Sequence, residues 1–156
     1  MTKIKMGDIF EISTPKGNAY LHYVYSDKTI GSLIRVLSGL YTGGSVDLCK
    51  LAASNERFMV FFPLSAAFRR KIVKYAGHCD IQDFVKPAYM REENNVRGVF
   101  LGWYIIDTQT WHRQLVKELT PAHKQLSPWG CWNDTLLIEK LMEGWTLEEW
   151  DKKAES

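Results

Sequence analysis

The sequence predicts an α+β fold that is mainly β, in which a curled antiparallel sheet or a small barrel-like core is completed by short C-terminal helices. Three observations predict this class. Apolar and polar residues alternate with a period of two in several segments of the first two thirds of the chain. Helical spacing with capping residues occurs near the C-terminus. Aromatic residues make up 13% of the 156 residues, so ring packing is expected in the core of a single domain, residues 1–156.

The first half of the chain predicts strands. Residues 8–13 alternate, and Pro15, Gly17 and Asn18 supply a turn before a second alternating segment, AYLHYVYS, so a β-hairpin is expected. SLIRVLSGLY predicts a third strand. DLCKLAASNERF fits either a short helix or an irregular segment. RFMVFFPL predicts a buried strand that ends at Pro63, because proline has no amide proton to donate to a sheet.

The second half predicts fewer strands. RRKIVKYAGH alternates and predicts one more. Residues 85–100, VKPAYMREENNVRGVF, mix Pro, Asn, Gly and charged residues and predict a long surface loop. GWYIIDTQTW predicts the last strand, with Asp107 at the start of a turn.

Helix is expected only at the C-terminus. Asn133 or Asp134 is suited to cap the start of a helix, and Gly144 is suited to the left-handed position that ends it. The sequence TLEE then forms a capping box, which predicts a second short helix that brings Trp150 onto the fold.

The net charge and the targeting signals of the sequence limit the kinds of partner that are expected. The net charge of +2 is too small to indicate a nucleic-acid partner, although one basic stretch, FRRKIVKY, keeps a nucleic-acid-binding β-barrel open as an alternative. That stretch contains Arg69, Arg70, Lys71 and Lys74 with Phe68 and Tyr75. The N-terminus has no apolar signal segment, and the longest apolar run is too short to cross a bilayer. A cytoplasmic protein without a membrane partner is therefore expected.

The cysteines and histidines do not indicate a catalytic or metal-binding site. Cys49, Cys79 and Cys131 are an odd set without paired spacing, so reduced, partly buried thiols are expected. Cys131 is expected to pack rather than react, because all four histidines precede it, whereas papain-like proteases place theirs far downstream. The chain has no metal-binding Cys or His pair, no phosphate-binding glycine loop and no nucleophile elbow. No enzyme activity, metal or cofactor is predicted.

Two stretches carry a resemblance to a known family. KIKMGDIFEISTPKGNAYLHYVY resembles the opening of the immunity protein 26 family, and SPWGCWNDTLLIEKLMEGW resembles its closing tract. VFFPLSAAFRRKIVKYAGHC and GWYIIDTQTW fit the order of strands of that family more loosely. The positions that match, together with neighbouring tryptophans, are expected to be structural: Gly7, Asp8, Phe10, Tyr20, Trp129, Trp132, Gly144 and Trp145.

The resemblance implies a bacterial immunity protein that binds and neutralises a cognate toxin domain, often a nuclease, in a 1:1 complex. It implies no catalytic residue. The partner is expected to contact the polar loop and the turn beyond the last strand, because the core tryptophans are used in folding. The residues predicted to bind the toxin are Arg91, Glu92, Glu93, Arg97, Asp107 and Trp111.

Overall fold

The computed structural model describes residues 3–81 and 83–155, and it confirms an α+β fold that is mainly β. The strands found there are β1 (Asp8–Thr14), β2 (Gly17–Asp27), β3 (Gly31–Val36), β4 (Phe58–Phe62), β5 (Val73–His78), β6 (Tyr89–Val96), β7 (Val99–Asp107) and β8 (Arg113–Val116). The helices found there are α1 (Leu48–Ala53), α2 (Leu64–Arg69), α3 (Asp134–Glu143) and α4 (Leu147–Glu155), with a 3₁₀ turn at His123–Gln125.

The strands form two antiparallel sheets that do not close into a barrel. The first has the order β4-β3-β2-β1-β5, and the second has the order β6-β7-β8. The predicted hairpin is β1 and β2, whose turn is closed by a hydrogen bond from Thr14 Oγ1 to the carbonyl oxygen of Gly17, 2.7 Å away. Phe10 and Ile12 belong to the main core, whereas Ile9 packs in a separate cluster on the opposite face, as strand alternation requires.

The predicted surface loop at residues 85–100 is wrong. Most of it forms β6 and the start of β7, joined by a tight turn at Arg97 and Gly98, which have φ angles of 52° and 80°. Positive φ at two successive positions is the geometry of the hairpin turn whose twist matches that of its strands. β6 is rich in charged and amide side chains, so its strand character comes from pairing with the more apolar β7 and not from its own propensity.

Three further elements differ from the sequence predictions. β8 follows β7, so GWYIIDTQTW does not contain the last strand. Helix α2 precedes the C-terminal ones, whereas α1 is the short helix that was one of the two alternatives for DLCKLAASNERF. The segment RRKIVKYAGH is divided, because Arg69 ends α2 and the strand begins only at Val73, after Lys71 adopts a φ of 62°. In α2, Leu64 and Ala67 face the core at i,i+3 spacing, a period that a strand cannot satisfy.

The prediction of three reduced thiols is also wrong. A disulfide joins Cys49 on α1 to Cys79 just after β5, across a sequence separation of 30 residues. The sequence spacing gave no signal, because the two cysteines meet only where α1 packs against β5. Cys131 is free and exposed, so it is not the packing residue that was expected.

The main core lies between the two sheets and the C-terminal helices. Leu137 and Leu141 of α3 are almost fully buried, and each contributes about 1.5–3 kcal/mol by leaving water. Aromatic rings fill the remaining space: the Phe58 and Trp145 ring centroids are 4.9 Å apart, and those of Trp103 and Trp150 are 5.0 Å apart. Asn133 caps the start of α3 through a 2.8 Å bond to Leu136 N, and Gly144 ends that helix with a φ of 70°.

Two of the residues expected to be structural lie where the chain enters β1. Gly7 has a φ of 100°, and a Cβ atom there would come within 2.5 Å of His78 Cε1. The buried Asp8 carboxylate accepts a 2.9 Å bond from Lys5 N and a 2.8 Å bond from His78 Nδ1. The bonds that His78 donates to Asp8 and, at 2.9 Å from its other ring nitrogen, to Asp80 raise the pKa of His78 above its ordinary value.

Residues 127–132, which we call the junction segment, connect the two sheets. At one end, Arg91 N donates to Ser127 O at 3.0 Å and Trp129 N donates to Arg91 O at 2.7 Å. At the other end, Trp132 N donates to Phe61 O at 2.9 Å. The segment therefore pairs with an edge of each sheet, and it places Trp129 and Trp132 at the boundary between them.

Candidate protein-binding groove

The six residues predicted to bind the toxin do not form one surface. Arg97 lies in the turn between β6 and β7, and Asp107 lies at the far end of β7. β7 has nine residues, so at about 3.4 Å per residue these two positions are roughly 25–30 Å apart. The sequence prediction grouped the polar loop with the turn beyond the last strand only because the core tryptophans were expected to be used in folding.

Arg91 is fully buried, so the prediction that it contacts a partner is wrong. Its guanidinium group donates to the Asp151 carboxylate and, at 2.9 Å, to Leu126 O. The same group lies 4.8 Å from the ring centroid of Trp103 and 4.3 Å from that of Trp150. Arg91 therefore connects β6 to the C-terminal helix α4 through a charge pair with Asp151 and a cation–π contact with Trp150, and it makes a second cation–π contact with Trp103 of β7.

Glu92 lies on the opposite face of β6 from Arg91, because successive strand residues alternate. Its carboxylate pairs with Arg113 on β8, and the Arg113 guanidinium lies 5.5 Å from the Tyr104 ring centroid. Glu92 is thus already neutralised on the outer face of the second sheet.

A groove of about 420 Å³ lies between β6, the junction segment and the two C-terminal helices. Its volume falls within the range of roughly 300–1,000 Å³ that is typical of ligand pockets. Trp145 and Trp150 are nearly buried, at 4% and 8% exposure, and form its floor. Trp129 and Trp132 are half-buried and form its sides. The other residues that line it are Arg91, Glu92, Glu93, Asn95, Pro128, Leu136, Lys140 and Ala154.

The charges around this groove are paired, with one exception. Arg91 pairs with Asp151, Arg113 pairs with Glu92, and Lys140 lies 3.6 Å from Glu143. Among the side chains that the structure describes, the exposed carboxylate of Glu93 has no hydrogen-bond or ion-pair partner. Glu93 therefore leaves a local negative charge at the rim of a groove that is lined with indole rings.

Trp111 extends the aromatic surface beyond the groove. Its ring is 44% exposed, and its centroid lies 6.1 Å from that of Trp129. The Asp107 carboxylate nearby in the sequence holds the turn, accepting bonds of 2.8 Å from Gln109 N and 3.1 Å from Thr110 N. These backbone donors hold the pKa of Asp107 below its ordinary value. The structure therefore places Trp111 beside Trp129, outside the groove itself, and uses the Asp107 carboxylate to hold the turn.

Nine residues that line the groove were not among the residues predicted to bind the toxin: Asn95, Pro128, Trp129, Trp132, Leu136, Lys140, Trp145, Trp150 and Ala154. Asp151, which pairs with Arg91 beneath the groove, was missed as well. Trp150 was expected to pack, and the density of tryptophans after residue 128 was the one signal that pointed to this region. Asp151 gave no signal, because its partner Arg91 is 60 residues away in the sequence.

A larger cleft of about 610 Å³ lies beside the disulfide, but its buried polar groups bond to one another. Arg35 donates to His22 Nδ1 at 3.1 Å, so that nitrogen is the acceptor and the opposite nitrogen, Nε2, donates to Cys79 O at 2.8 Å. Burial, together with the charge of Arg35, lowers the pKa of His22. Arg35 also donates to Glu56 at 2.9 Å and to Ala52 O at 2.8 Å. This network holds α1 on the sheet.

The basic residues of the alternative interpretation lie at the end of α2 and on β5, and all four are exposed. The two aromatic residues of that stretch differ. Phe68 packs on Phe10 with ring centroids 5.5 Å apart, whereas Tyr75 is 53% exposed. Tyr75 is thus the more accessible of the two for stacking on a base.

The described part of the chain contains neither a metal-binding cluster nor a membrane-spanning helix. No group of three or more His, Cys, Asp or Glu side chains within it is placed to hold a metal ion. No helix in the same part is long and apolar enough to cross a membrane.

Comparison of the chain with protein-family models, with curated proteins and with solved structures gave no match.

Proposed function

We propose that this chain is an immunity protein that binds a cognate bacterial toxin domain and neutralises it in the cytoplasm, as a 1:1 complex. The resemblance of both ends of the sequence to the immunity protein 26 family supports the proposal. The observation that carries it is the groove, in which the junction segment and the C-terminal helices hold four tryptophans beside the unpaired carboxylate of Glu93 on β6.

The rigidity of the groove fits this function. Neutralising a toxin that acts at few copies per cell requires nanomolar or tighter binding, about −12 kcal/mol. Such affinity is easier to reach when the binding residues are already ordered, because ordering flexible side chains and loops opposes association. Trp129 packs on Phe61 with ring centroids 5.9 Å apart, and Trp132 packs on Phe58 at 5.3 Å, so both rings are fixed before any partner arrives. Tryptophan is also enriched among the residues that dominate binding energy.

The charge of the groove favours a basic toxin, and we propose that this toxin is a nuclease. Nucleases use cationic surfaces to hold phosphates, and such a surface is complementary to the carboxylate of Glu93. The small net charge of +2 does not oppose this, because complementarity depends on the local surface.

The proposal expects a toxin gene directly upstream of the gene for this chain, and the test is co-expression of that toxin domain with this chain in bacteria. Expression of the toxin domain alone should arrest growth, and co-expression of the wild-type chain should restore it. Trp129→Ala should weaken the purified complex by at least about 2 kcal/mol, as loss of a dominant interface residue does. Tyr75→Ala, which also removes an exposed ring but lies outside the groove, is the matched control and should bind as the wild type does. Failure to restore growth, together with separate elution of the two proteins in gel filtration, would refute the proposal.

The disulfide requires a control of its own, since glutathione keeps most cytosolic thiols reduced. A Cys49→Ala/Cys79→Ala variant should still restore growth, because both cysteines lie outside the groove.

The alternative function is nucleic-acid binding, favoured by the exposed Arg69, Arg70, Lys71 and Lys74 beside Tyr75. Fluorescence anisotropy with labelled single-stranded RNA and DNA 20-mers would detect it. Binding that weakens with rising salt and on Tyr75→Ala would favour this alternative over the toxin complex.

A further inference from the structure

We propose that the groove binds an arginine side chain projecting from the partner protein, between Trp129 and Trp132 and against the carboxylate of Glu93. This inference rests on the proposed function, and it specifies which chemical group of the toxin the groove recognises.

The protein already contains one site of this composition. The Arg91 guanidinium lies against the rings of both Trp103 and Trp150, 4.8 Å and 4.3 Å from their centroids, and its charge is balanced by Asp151. The site therefore consists of two indoles, one carboxylate and one guanidinium. It shows that this arrangement is compatible with the local backbone and packing.

Next to this first site, the groove contains two of the same three kinds of group, namely a pair of indoles and a carboxylate. Glu93 follows Arg91 by two residues on β6, so both lie on the same face of the strand, about 7 Å apart. Trp129 and Trp132 supply two half-buried indoles, and both line the groove with Glu93. The cation of the first site is the one kind of group that is not repeated beside Glu93.

The neighbouring cations that the structure describes do not pair with Glu93. Arg91 and Arg113 are each paired with a carboxylate other than Glu93. Lys140 lies 3.6 Å from Glu143, and its ammonium nitrogen lies 5.9 Å from the Trp145 ring centroid. In the part of the chain that the structure describes, Glu93 thus remains available to an external cation.

Arginine fits the groove better than lysine does. A guanidinium group is planar, so it can stack on an indole ring while its edge donates two hydrogen bonds to a carboxylate. A lysine ammonium is compact and strongly hydrated, and it offers no plane for stacking. A cationic toxin surface that binds phosphates is expected to carry arginine for the same geometric reason.

The experiment titrates the full-length protein with three capped tripeptides, Gly-Arg-Gly, Gly-Lys-Gly and Gly-citrulline-Gly, followed by NMR of the indole N–H signals. Citrulline has the shape of arginine without its charge. The arginine peptide should shift the Trp129 and Trp132 signals with a Kd on the order of millimolar, as expected for one side chain. The buried Trp103 should not respond directly. The lysine peptide should bind at least about threefold more weakly, and the citrulline peptide at least about tenfold more weakly.

The variants separate binding at Glu93 from general charge effects. Glu93→Gln should weaken the arginine peptide about tenfold, because it removes the charged partner and keeps the shape of the side chain. Glu139→Gln removes an exposed carboxylate of α3 that does not line the groove, so it should leave the Kd unchanged. Circular dichroism of both variants should match that of the wild type. Equal binding of all three peptides, shifts confined to other tryptophans, or an unchanged Kd for Glu93→Gln would each overturn the inference.

The peptide titration requires no toxin, so the two proposals fail separately. A chain that neutralises a toxin but does not bind the arginine peptide would refute the arginine site alone. A chain that binds the arginine peptide but neither binds nor neutralises the toxin would refute the immunity function.

Discussion

Replacing Arg91 with methionine should destabilise the fold more than any other single change of charge in the second sheet. Methionine fills much of the space of the arginine stem, so the effect comes chiefly from the lost guanidinium group. The change leaves the Asp151 carboxylate, whose side chain is only 10% exposed, without its charge partner. It also removes the donor to Leu126 O and the cation that lies against the rings of Trp103 and Trp150. Breaking a buried charge pair in this way costs about 3–5 kcal/mol.

Urea denaturation followed by circular dichroism measures this loss without depending on the nearby tryptophans. The midpoint should fall while the slope stays the same, which indicates a change in stability rather than in the denatured state. Arg113→Met is the matched control, because the Arg113 and Glu92 side chains are 50% and 28% exposed. Loss of such a surface pair should cost about 0–1 kcal/mol.

A double variant tests the cause of the loss. Arg91→Met with Asp151→Leu should recover part of the stability, because no unpaired charge is then left inside the protein. If Arg91→Met costs no more than Arg113→Met, then Arg91 is not a buried charge that joins β6 to α4, and the reasoning about the groove floor fails with it.

Three other changes test separate parts of the structure. Reducing the Cys49–Cys79 disulfide should lower the free energy of unfolding by about 2–4 kcal/mol, since it opens a loop that spans a separation of 30 residues. Thermal melts with and without dithiothreitol measure this, and identical melts would contradict it. Gly7→Ala should cost more than about 1 kcal/mol in urea denaturation, because φ is 100° there and the new Cβ would lie 2.5 Å from His78 Cε1; a smaller loss would show that the entry to β1 can relax. Burial lowers the pKa of His22 below 6.5, so its contribution to stability is complete above about pH 6.5 and is lost as the pH falls through the lowered pKa. An NMR titration of the His22 ring with a midpoint above 6.5 would refute this.

Local sequence signals predicted the elements whose hydrogen bonds close within a few residues. The β1–β2 hairpin follows from alternation and the turn before Gly17. The ends of α3 follow from Asn133, whose side chain bonds to an amide three residues away, and from Gly144, which adopts the left-handed conformation. In both cases the residues that form the turn or the helix end are within a few positions of one another in the sequence. No distant residue is therefore needed to interpret these signals.

β6 was missed because its stability does not come from its own residues. YMREENNV is mostly polar, and composition alone favours a loop. Pairing with β7 along its whole length supplies the hydrogen bonds, and burial of Arg91 on one face supplies part of the packing. Strand preference depends on such partners more than helix preference does.

The sequence by itself determined the mainly β class, the first hairpin, the capped C-terminal helices and the concentration of tryptophans that builds one side of the core. Only the tertiary structure decided which of those tryptophans line a groove, which carboxylate there lacks a partner, and that Arg91 is buried while Glu93 is exposed. The physical reason is distance along the chain. Caps and turns join residues three or four positions apart, whereas the groove depends on Arg91 meeting Asp151 across 60 residues and on the junction segment pairing with both sheets.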